Sequence, residues 1–64
     1  MTRDEIAALP FRDLLKALGM TQTGCSRRYD IPLRTVQHWA AGDRDCPPYV
    51  KLMIAELAGL KPED

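Results

Sequence analysis

The sequence predicts a single all-α domain built from four to five short helices. Apolar residues recur at intervals of three and four along most of the chain, as they do on one side of an α-helix. Proline and glycine separate these stretches from one another. With 64 residues the domain hides only about 60% of its unfolded surface, so we expect modest stability or support from a partner. The whole chain, 1–64, is therefore expected to form one compact core.

The N-terminal segment predicts a first helix from Thr2 to Leu9. Thr2 and Glu5 have the spacing of a capping box, in which each side chain binds the backbone N–H of the other residue. Ile6 and Leu9 supply the apolar contacts. Pro10 then interrupts the pattern, and the sequence leaves open whether this proline separates two helices or kinks one.

A second helix is predicted from Phe11 to Leu18. Its apolar residues stand at i, i+3, i+4 and i+7, which places them on one side of the helix. Gly19 follows, and glycine is a favoured residue at a helix C-terminus. The four apolar residues are assigned to the core: Phe11, Leu14, Leu15 and Leu18.

A third helix is predicted to begin near Gln22. Thr21 is a good N-cap because its hydroxyl can accept a hydrogen bond from a free backbone N–H. One side of this helix carries Cys25, Ser26 and Tyr29, while Thr23, Arg27 and Arg28 point elsewhere.

Three residues, Asp30, Ile31 and Pro32, join the third helix to the next one. Asp tolerates the left-handed conformation better than most residues. Ile31 can enter the core, and Pro32 suits a helix start because its fixed φ is already helical. The two helices are expected to meet at a large angle. Such a crossing needs a small residue where the helices approach, and Ser26 is the candidate.

The fourth helix is predicted from Leu33 to Ala41. A helical wheel groups Leu33, Val36, Trp39 and Ala40 on one side and Arg34, Gln37, His38 and Ala41 on the other. One face is therefore apolar, and the opposite face can make hydrogen bonds. Gly42 can end the helix in a left-handed conformation and begins a loop that runs to Pro48.

The stretch 21–42, TQTGCSRRYDIPLRTVQHWAAG, resembles the helix-turn-helix of the phage-repressor-like (Xre or Cro/CI) DNA-binding domains. The resemblance rests on the Thr-Gln opening, the small residue Ser26, the apolar turn residue Ile31, and the spacing of Val36, Trp39 and Gly42. It covers roughly a third of the chain directly, and the flanking helices extend it to most of the rest. It implies a compact five-helix, lambda-repressor-like helix-turn-helix domain.

Two positions depart from the family pattern. Asp30 stands where the turn usually has glycine. Ala40 follows the tryptophan where an acidic residue is common, so a supporting hydrogen bond of the family is missing. The spacing over more than twenty positions is kept, and that spacing is more specific than any single residue in it.

The resemblance implies that the fourth helix lies in the major groove of DNA with its N-terminal residues at the base edges. There Arg34 could bind guanine bidentately, Gln37 could pair with adenine, and His38 could reach a base or a phosphate. Thr35 sits at the side, where it can contact a phosphate or a thymine methyl. Leu33 fits either the core or a thymine contact.

Two further residues match family positions that contact the DNA backbone. Gln22 stands at the start of the third helix, where free N–H groups favour phosphate. Arg44 lies in the loop after the fourth helix. Each assignment has a plainer alternative: Arg44 could pair with Asp43 or Asp45 in solvent, and the polar side of the fourth helix could be only a solvated face.

Formal net charge is zero, yet the charges are unevenly distributed. Within residues 21–44, four arginines stand against Asp30 and Asp43, whereas acidic residues are in excess after residue 44. A small local excess of positive charge predicts weak non-specific DNA binding with a shallow salt dependence. Such a protein is expected to need a second copy, that is, to bind as a homodimer.

The last helix is predicted from Pro48 to about Ala58, before Gly59. Val50, Met53, Ile54 and Leu57 form one stripe, while Tyr49, Leu52 and Leu60 fall outside it. This is more apolar surface than one small core requires, so the second set is a candidate dimer surface. In a chain this short, the same residues could instead close the core. Residues 61–64 are expected to be a frayed, solvated tail.

Composition argues against metal, cofactor and membrane roles. Cys25 is expected in the core as a small hydrophobe, and with Cys46 and one histidine it makes a poor zinc site. The sequence does not decide whether Cys25 and Cys46 form a disulfide bond. Asp4 and Glu5 stand where a signal peptide has its basic region, and no apolar run approaches the roughly 20 residues that cross a bilayer. We therefore expect a cytoplasmic protein without a cofactor.

No catalytic residues are predicted, because the sequence has no paired carboxylates suited to a pocket, no phosphate-binding Gly-rich loop and no metal cluster. The resemblance implies instead a sequence-specific DNA-binding regulator of bacterial, phage or mobile-element origin, which represses as a dimer by occupying a promoter. The alternative is a protein-interaction module, such as an antitoxin or adaptor, that uses the same helices to bind a partner protein.

Overall fold

The structure, a computed structural model, describes residues 1–60 and contains five helices over that range. They are α1 (Arg3–Ala8), α2 (Phe11–Ala17), α3 (Gln22–Tyr29), α4 (Leu33–Ala41) and α5 (Pro48–Leu57). No strand is found among these residues. The all-α prediction with five helices is confirmed, and the helix ends agree with the predicted ones within about one residue. The predicted tail, 61–64, lies outside the described residues.

Threonine caps the starts of α1 and α3. The Thr2 N–H donates to Glu5 Oε1 at 3.0 Å, and the Glu5 N–H donates to Thr2 Oγ1 at 3.1 Å. This is the predicted capping box. At α3 the hydroxyl of Thr21 accepts from the Gly24 N–H at 2.9 Å, as expected of an N-cap.

The other three helices start from proline corners, which we define as Pro10, Pro32 and Pro47. Each precedes the first helical residue, and their φ values are −57°, −53° and −56°. No side chain caps these three helices. Because Pro10 has an extended ψ of 142° and α1 ends at Ala8, this proline separates two helices rather than kinking one.

Helices α2 to α5 end in the same way, with one residue of positive φ. The amide after that residue then bonds back to a carbonyl five residues earlier, a pattern that satisfies the free carbonyls of the last turn. The positive-φ residues are Gly19, Asp30, Gly42 and Gly59. The returning bonds run from Met20 to Leu15, Ile31 to Ser26, Asp43 to His38 and Leu60 to Ala55, at 2.8 to 3.0 Å.

Two apolar clusters form the core. The larger one joins α2, α3, α4, α5 and the loop before α5, and consists of Phe11, Leu15, Cys25, Val36, Ala40, Cys46 and Ile54. The smaller one consists of Ile6, Leu14 and Ala55, and thereby joins α1, α2 and α5. Leu18 packs against both clusters, so they form a continuous core. The apolar residues assigned to the core on α1 and α2 are thus confirmed.

Helix α5 is the element that ties the two ends of the chain together. The Lys51 Nζ donates to the carbonyl oxygens of Ala7 at 3.0 Å and Leu9 at 2.7 Å, at the C-terminus of α1. On the other side, the Arg28 guanidinium donates to the carbonyl of Leu57 at 3.3 Å. With ten residues, α5 is the longest helix among the described residues. It has about half the length that a helix needs to cross a bilayer, and no helix of residues 1–60 is long and apolar enough to do so.

Candidate nucleic-acid interface

The turn between α3 and α4 is built by its own three residues and by Ser26. Asp30 has φ 54° and ψ 43°, a left-handed conformation that reverses the chain. Ile31 is half-buried against the larger core cluster. The hydroxyl of Ser26 donates to the Ile31 carbonyl at 2.6 Å, so the predicted small residue also bonds to the turn. These contacts hold the start of α4 in a fixed position relative to α3.

One face of α4 is buried and fixes the rotation of the helix. Val36 is fully buried, and Ala40 is 8% exposed. Trp39 is half-buried, and its ring packs against that of Phe11 on α2 in a T-shaped arrangement with the centroids 5.2 Å apart. An aromatic pair in this arrangement adds to the burial of apolar area. The apolar side of the wheel is thus confirmed for these residues.

The opposite face of α4 is turned to solvent. Arg34 and Gln37 are exposed, and Thr35 and His38 are half-buried beside them. Leu33, which the sequence left between core and surface, is 39% exposed and lies outside both core clusters. The face therefore carries hydrogen-bond donors and acceptors together with one apolar side chain, all within three turns of helix.

His38 has a partner that the sequence analysis did not predict. Its Nδ1 lies 3.4 Å from Oδ2 of Asp43, and the two side chains are 37% and 67% exposed. The positive φ of Gly42 brings the chain back, so that the Asp43 N–H donates to the carbonyl of His38 at 3.0 Å. A glycine followed by an acid just after the helix is the local signal that would have indicated this pair.

Gln22 and Arg44 lie at two ends of the surface around α3 and α4. Gln22 is the exposed first residue of α3. Arg44 is exposed in the loop after α4, where it lines a groove of about 590 Å³ together with Trp39 and Lys51. The alternative that the sequence left open, an ion pair of Arg44 with Asp43 or Asp45, is not formed among the described residues.

The candidate dimer residues on α5 differ in how far they are exposed. Leu52 and Leu60 are half-buried and pack against the smaller core cluster, while only Tyr49 of the predicted set is exposed, at 66%. Conversely, Met53 and Leu57 of the predicted core stripe are 55% and 62% exposed. The helix is rotated from the predicted orientation because α1 covers the Leu52 side. The exposed stripe of α5 is therefore Tyr49, Met53 and Leu57.

The two cysteines belong to the core. Both are buried and reduced, so the disulfide that the sequence left open is not formed. Burial raises the pKa of the Cys25 thiol, and it raises the pKa of Cys46 to about 11. Since the thiolate is the reactive form, burial lowers the reactivity of both cysteines.

The surface around α4 is formed by exposed and half-buried polar side chains. Among residues 1–60 no polar or charged side chain is buried, and no three side chains of the metal-binding types gather into a site. What the arrangement can do is present an arginine, a glutamine and a threonine from one rigid helix, with further polar groups at its sides. Comparisons with protein-family models, with curated proteins and with solved structures give no match to this chain.

Proposed function

We propose that this protein is a sequence-specific DNA-binding transcriptional regulator whose α3 and α4 act as a helix-turn-helix of the lambda-repressor-like type. In this proposal α4 enters the major groove of double-stranded DNA, and a homodimer represses by occupying a promoter. Such a regulator would work in the cytoplasm of a bacterial or phage-infected cell, the origin that the sequence resemblance implies.

The observation that carries the proposal is the exposed polar face of α4 directly after a three-residue turn. An α-helix with its side chains is about 10 to 12 Å across, and the major groove is about 12 Å wide. A helix can enter that groove only if it projects from the domain with one face free. The polar face of α4 is free in this way, because Val36 and Ala40 pack the other face into the core, and this supports the proposal.

The side chains on α4 suit the base edges of the major groove. The Arg34 guanidinium has five N–H donors, two of which fit O6 and N7 of guanine, and the Gln37 amide fits N6 and N7 of adenine. Thr35, at the side of the helix, would contact a phosphate or a thymine methyl. His38 would reach a phosphate rather than a base, because its contact with Asp43 holds it near the C-terminus of α4.

Gln22 and Arg44 would contact the DNA backbone beside α4. Phosphate contacts fix the position of a protein on DNA but read no sequence. In the proposal these two residues set the depth and angle at which α4 lies in the groove. Arg44 suits this role because it has no ion-pair partner among the described residues.

The experiment that tests the proposal is a selection of random duplex DNA by the purified protein at low salt. We expect an inverted repeat whose half-sites lie about one helical turn apart. Titration of the selected duplex should then show that Arg34→Ala and Gln37→Ala each lose about 1 to 3 kcal/mol of binding free energy. Arg27→Ala, an exposed arginine on α3 away from this face, is the matched control and should bind as the wild type does.

If folded protein enriches no sequence, the proposal fails. The alternative function, a protein-interaction module, would then be favoured by the exposed stripe of α5, which offers three large apolar side chains to a partner. If a sequence is enriched but Arg34→Ala and Gln37→Ala bind it normally, DNA binding holds while the assignment of α4 is wrong.

A further inference from the structure

Two surface grooves meet at one residue of α2. Arg12 lines the groove of about 590 Å³ that also contains Arg44, and it lines a second groove of about 290 Å³ formed with Lys16, Thr21 and Gln22. Arg12 is the residue that these two grooves share. The α2 surface therefore connects the loop after α4 with the start of α3.

The cations along this surface are not neutralised by the protein. Arg12, Lys16 and Arg44 are exposed, and none of them forms an ion pair or a side-chain hydrogen bond with the described residues. Asp45 is the acidic residue that lines the larger groove, and no acidic residue lines the smaller one. Lys51 also reaches the larger groove, but its ammonium group already donates to Ala7 and Leu9.

Packing holds the α2 backbone that carries Arg12 and Lys16 at a fixed position relative to α4. Arg12 and Lys16 lie one turn apart on the exposed side of α2, at a rise of about 6 Å, and so share a face. The neighbouring residues Phe11 and Leu15 are buried in the larger core cluster. Phe11 also contacts Trp39 of α4 directly. A change in the position of α2 would therefore have to move α4 as well.

We infer that Arg12, Lys16 and Arg44 form a basic track that binds successive phosphates of one DNA strand beside α4. This inference rests on the proposed function and adds to it two contacts from α2, a helix outside the helix-turn-helix. The track connects Arg44 with Gln22, the two backbone contacts expected from the sequence. Its ligand is the sugar-phosphate backbone, so its contribution does not depend on the base sequence.

The salt dependence of binding tests the track. A mixed-sequence duplex of about two helical turns, roughly 20 base pairs, is titrated at several salt concentrations. Each lost phosphate contact should reduce the magnitude of the negative slope of log K against log salt by about 0.9. Because both protomers of a bound homodimer carry the substitutions, Arg12→Ala/Lys16→Ala removes four contacts and should reduce this magnitude by about 3.6. Arg12→Lys keeps the charge and should keep the slope. Arg27→Ala removes a cation from outside both grooves and should leave the slope unchanged.

The outcomes separate the two proposals. An unchanged slope in the double variant overturns the basic track, while the proposed function stands if Arg34→Ala still weakens binding to the selected sequence. A slope lowered equally by Arg27→Ala also overturns the track, because net charge would then explain the effect. Absence of salt-dependent binding by the folded wild type to both the mixed-sequence and the selected duplex overturns both. Thermal unfolding of each variant checks that these exposed substitutions leave the fold intact.

Discussion

Asp30 is the residue on which the geometry between α3 and α4 depends. It is the non-glycine residue with positive φ in the described chain, and its backbone lies in the left-handed region. An L-residue in that region suffers a clash between its Cβ and a carbonyl oxygen, although Asp and Asn tolerate it better than most. The turn is therefore mildly strained at one side chain.

Substitutions at Asp30 should change stability in opposite directions. We expect Asp30→Gly to raise the free energy of unfolding by roughly 0.5 kcal/mol, because removal of the Cβ outweighs the added freedom of the unfolded chain. Asp30→Val should lower it by about 1 to 2 kcal/mol. Urea denaturation followed by circular dichroism measures both changes. The same substitutions at Asp45, an exposed loop residue without positive φ, serve as controls. A wild-type midpoint for Asp30→Val would contradict this account.

Residue contacts between elements were harder to predict than those within an element. The sequence predicts Ser26 as the small residue near the turn, because local spacing alone indicates it. The contact of His38 with Asp43 is also local, because Gly42 turns the chain back within five residues. The bonds from Lys51 to α1 instead join residues more than forty positions apart. No periodicity in the sequence indicates contacts of that range.

At the scale of one element, α1 is the helix whose start depends most clearly on charge. The pKa of Glu5 lies below its ordinary value of 4.5, mainly because the Thr2 backbone N–H donates to the carboxylate. A lowered folded-state pKa means that the ionised form contributes stability above pH 4.5. That contribution is lost as the pH falls through the folded-state value.

We therefore expect acid to destabilise the wild type more than Glu5→Gln. Glutamine keeps the capping geometry but does not titrate, so its urea midpoint should fall less between about pH 5 and pH 3. Glu56→Gln, on the exposed side of α5, provides the comparison for a carboxylate outside a helix cap. Parallel pH profiles for the wild type and Glu5→Gln would show that the capping box contributes no pH dependence.

Helix limits and helix orientation differ in how well the sequence determines them. The limits follow from local signals, namely threonine caps, prolines and residues of positive φ, and these were predicted closely. The orientation of α4 was also predicted, because its polar and apolar residues are well separated. Helix α5 is apolar on most sides, so its sequence allows two alternative buried faces. The position of α1 decides between them, because it covers Leu52 and leaves Met53 exposed.

At the scale of the whole molecule, the exposed stripe of α5 is the candidate contact with a second copy. Tyr49, Met53 and Leu57 are spaced by four residues on one side of the helix. Two α5 helices packed antiparallel about a two-fold axis at Met53 would place Tyr49 of each against Leu57 of the other. This geometry gives the same contact on both copies, as a symmetric dimer requires.

Sedimentation equilibrium should detect this dimer and its loss. We expect Met53→Lys to shift the protein to monomer and to weaken operator binding, because a charge at the centre of an apolar contact is costly to bury. Ala17→Lys, an exposed alanine on α2, adds the same charge elsewhere and should leave the dimer intact. A wild type that is monomeric at concentrations well above its DNA affinity would rule out dimerisation before binding.

The proline corners also affect the state that is not folded. Pro10, Pro32 and Pro47 keep φ near its native value even when the chain is denatured, and each restricts the residue before it. Three of the four connections between helices therefore lose less conformational entropy on folding than connections without proline would. Sixty-four residues bury only a small core, so this saving in entropy is a notable part of the stability. The prolines stabilise the fold by excluding conformations from the denatured ensemble.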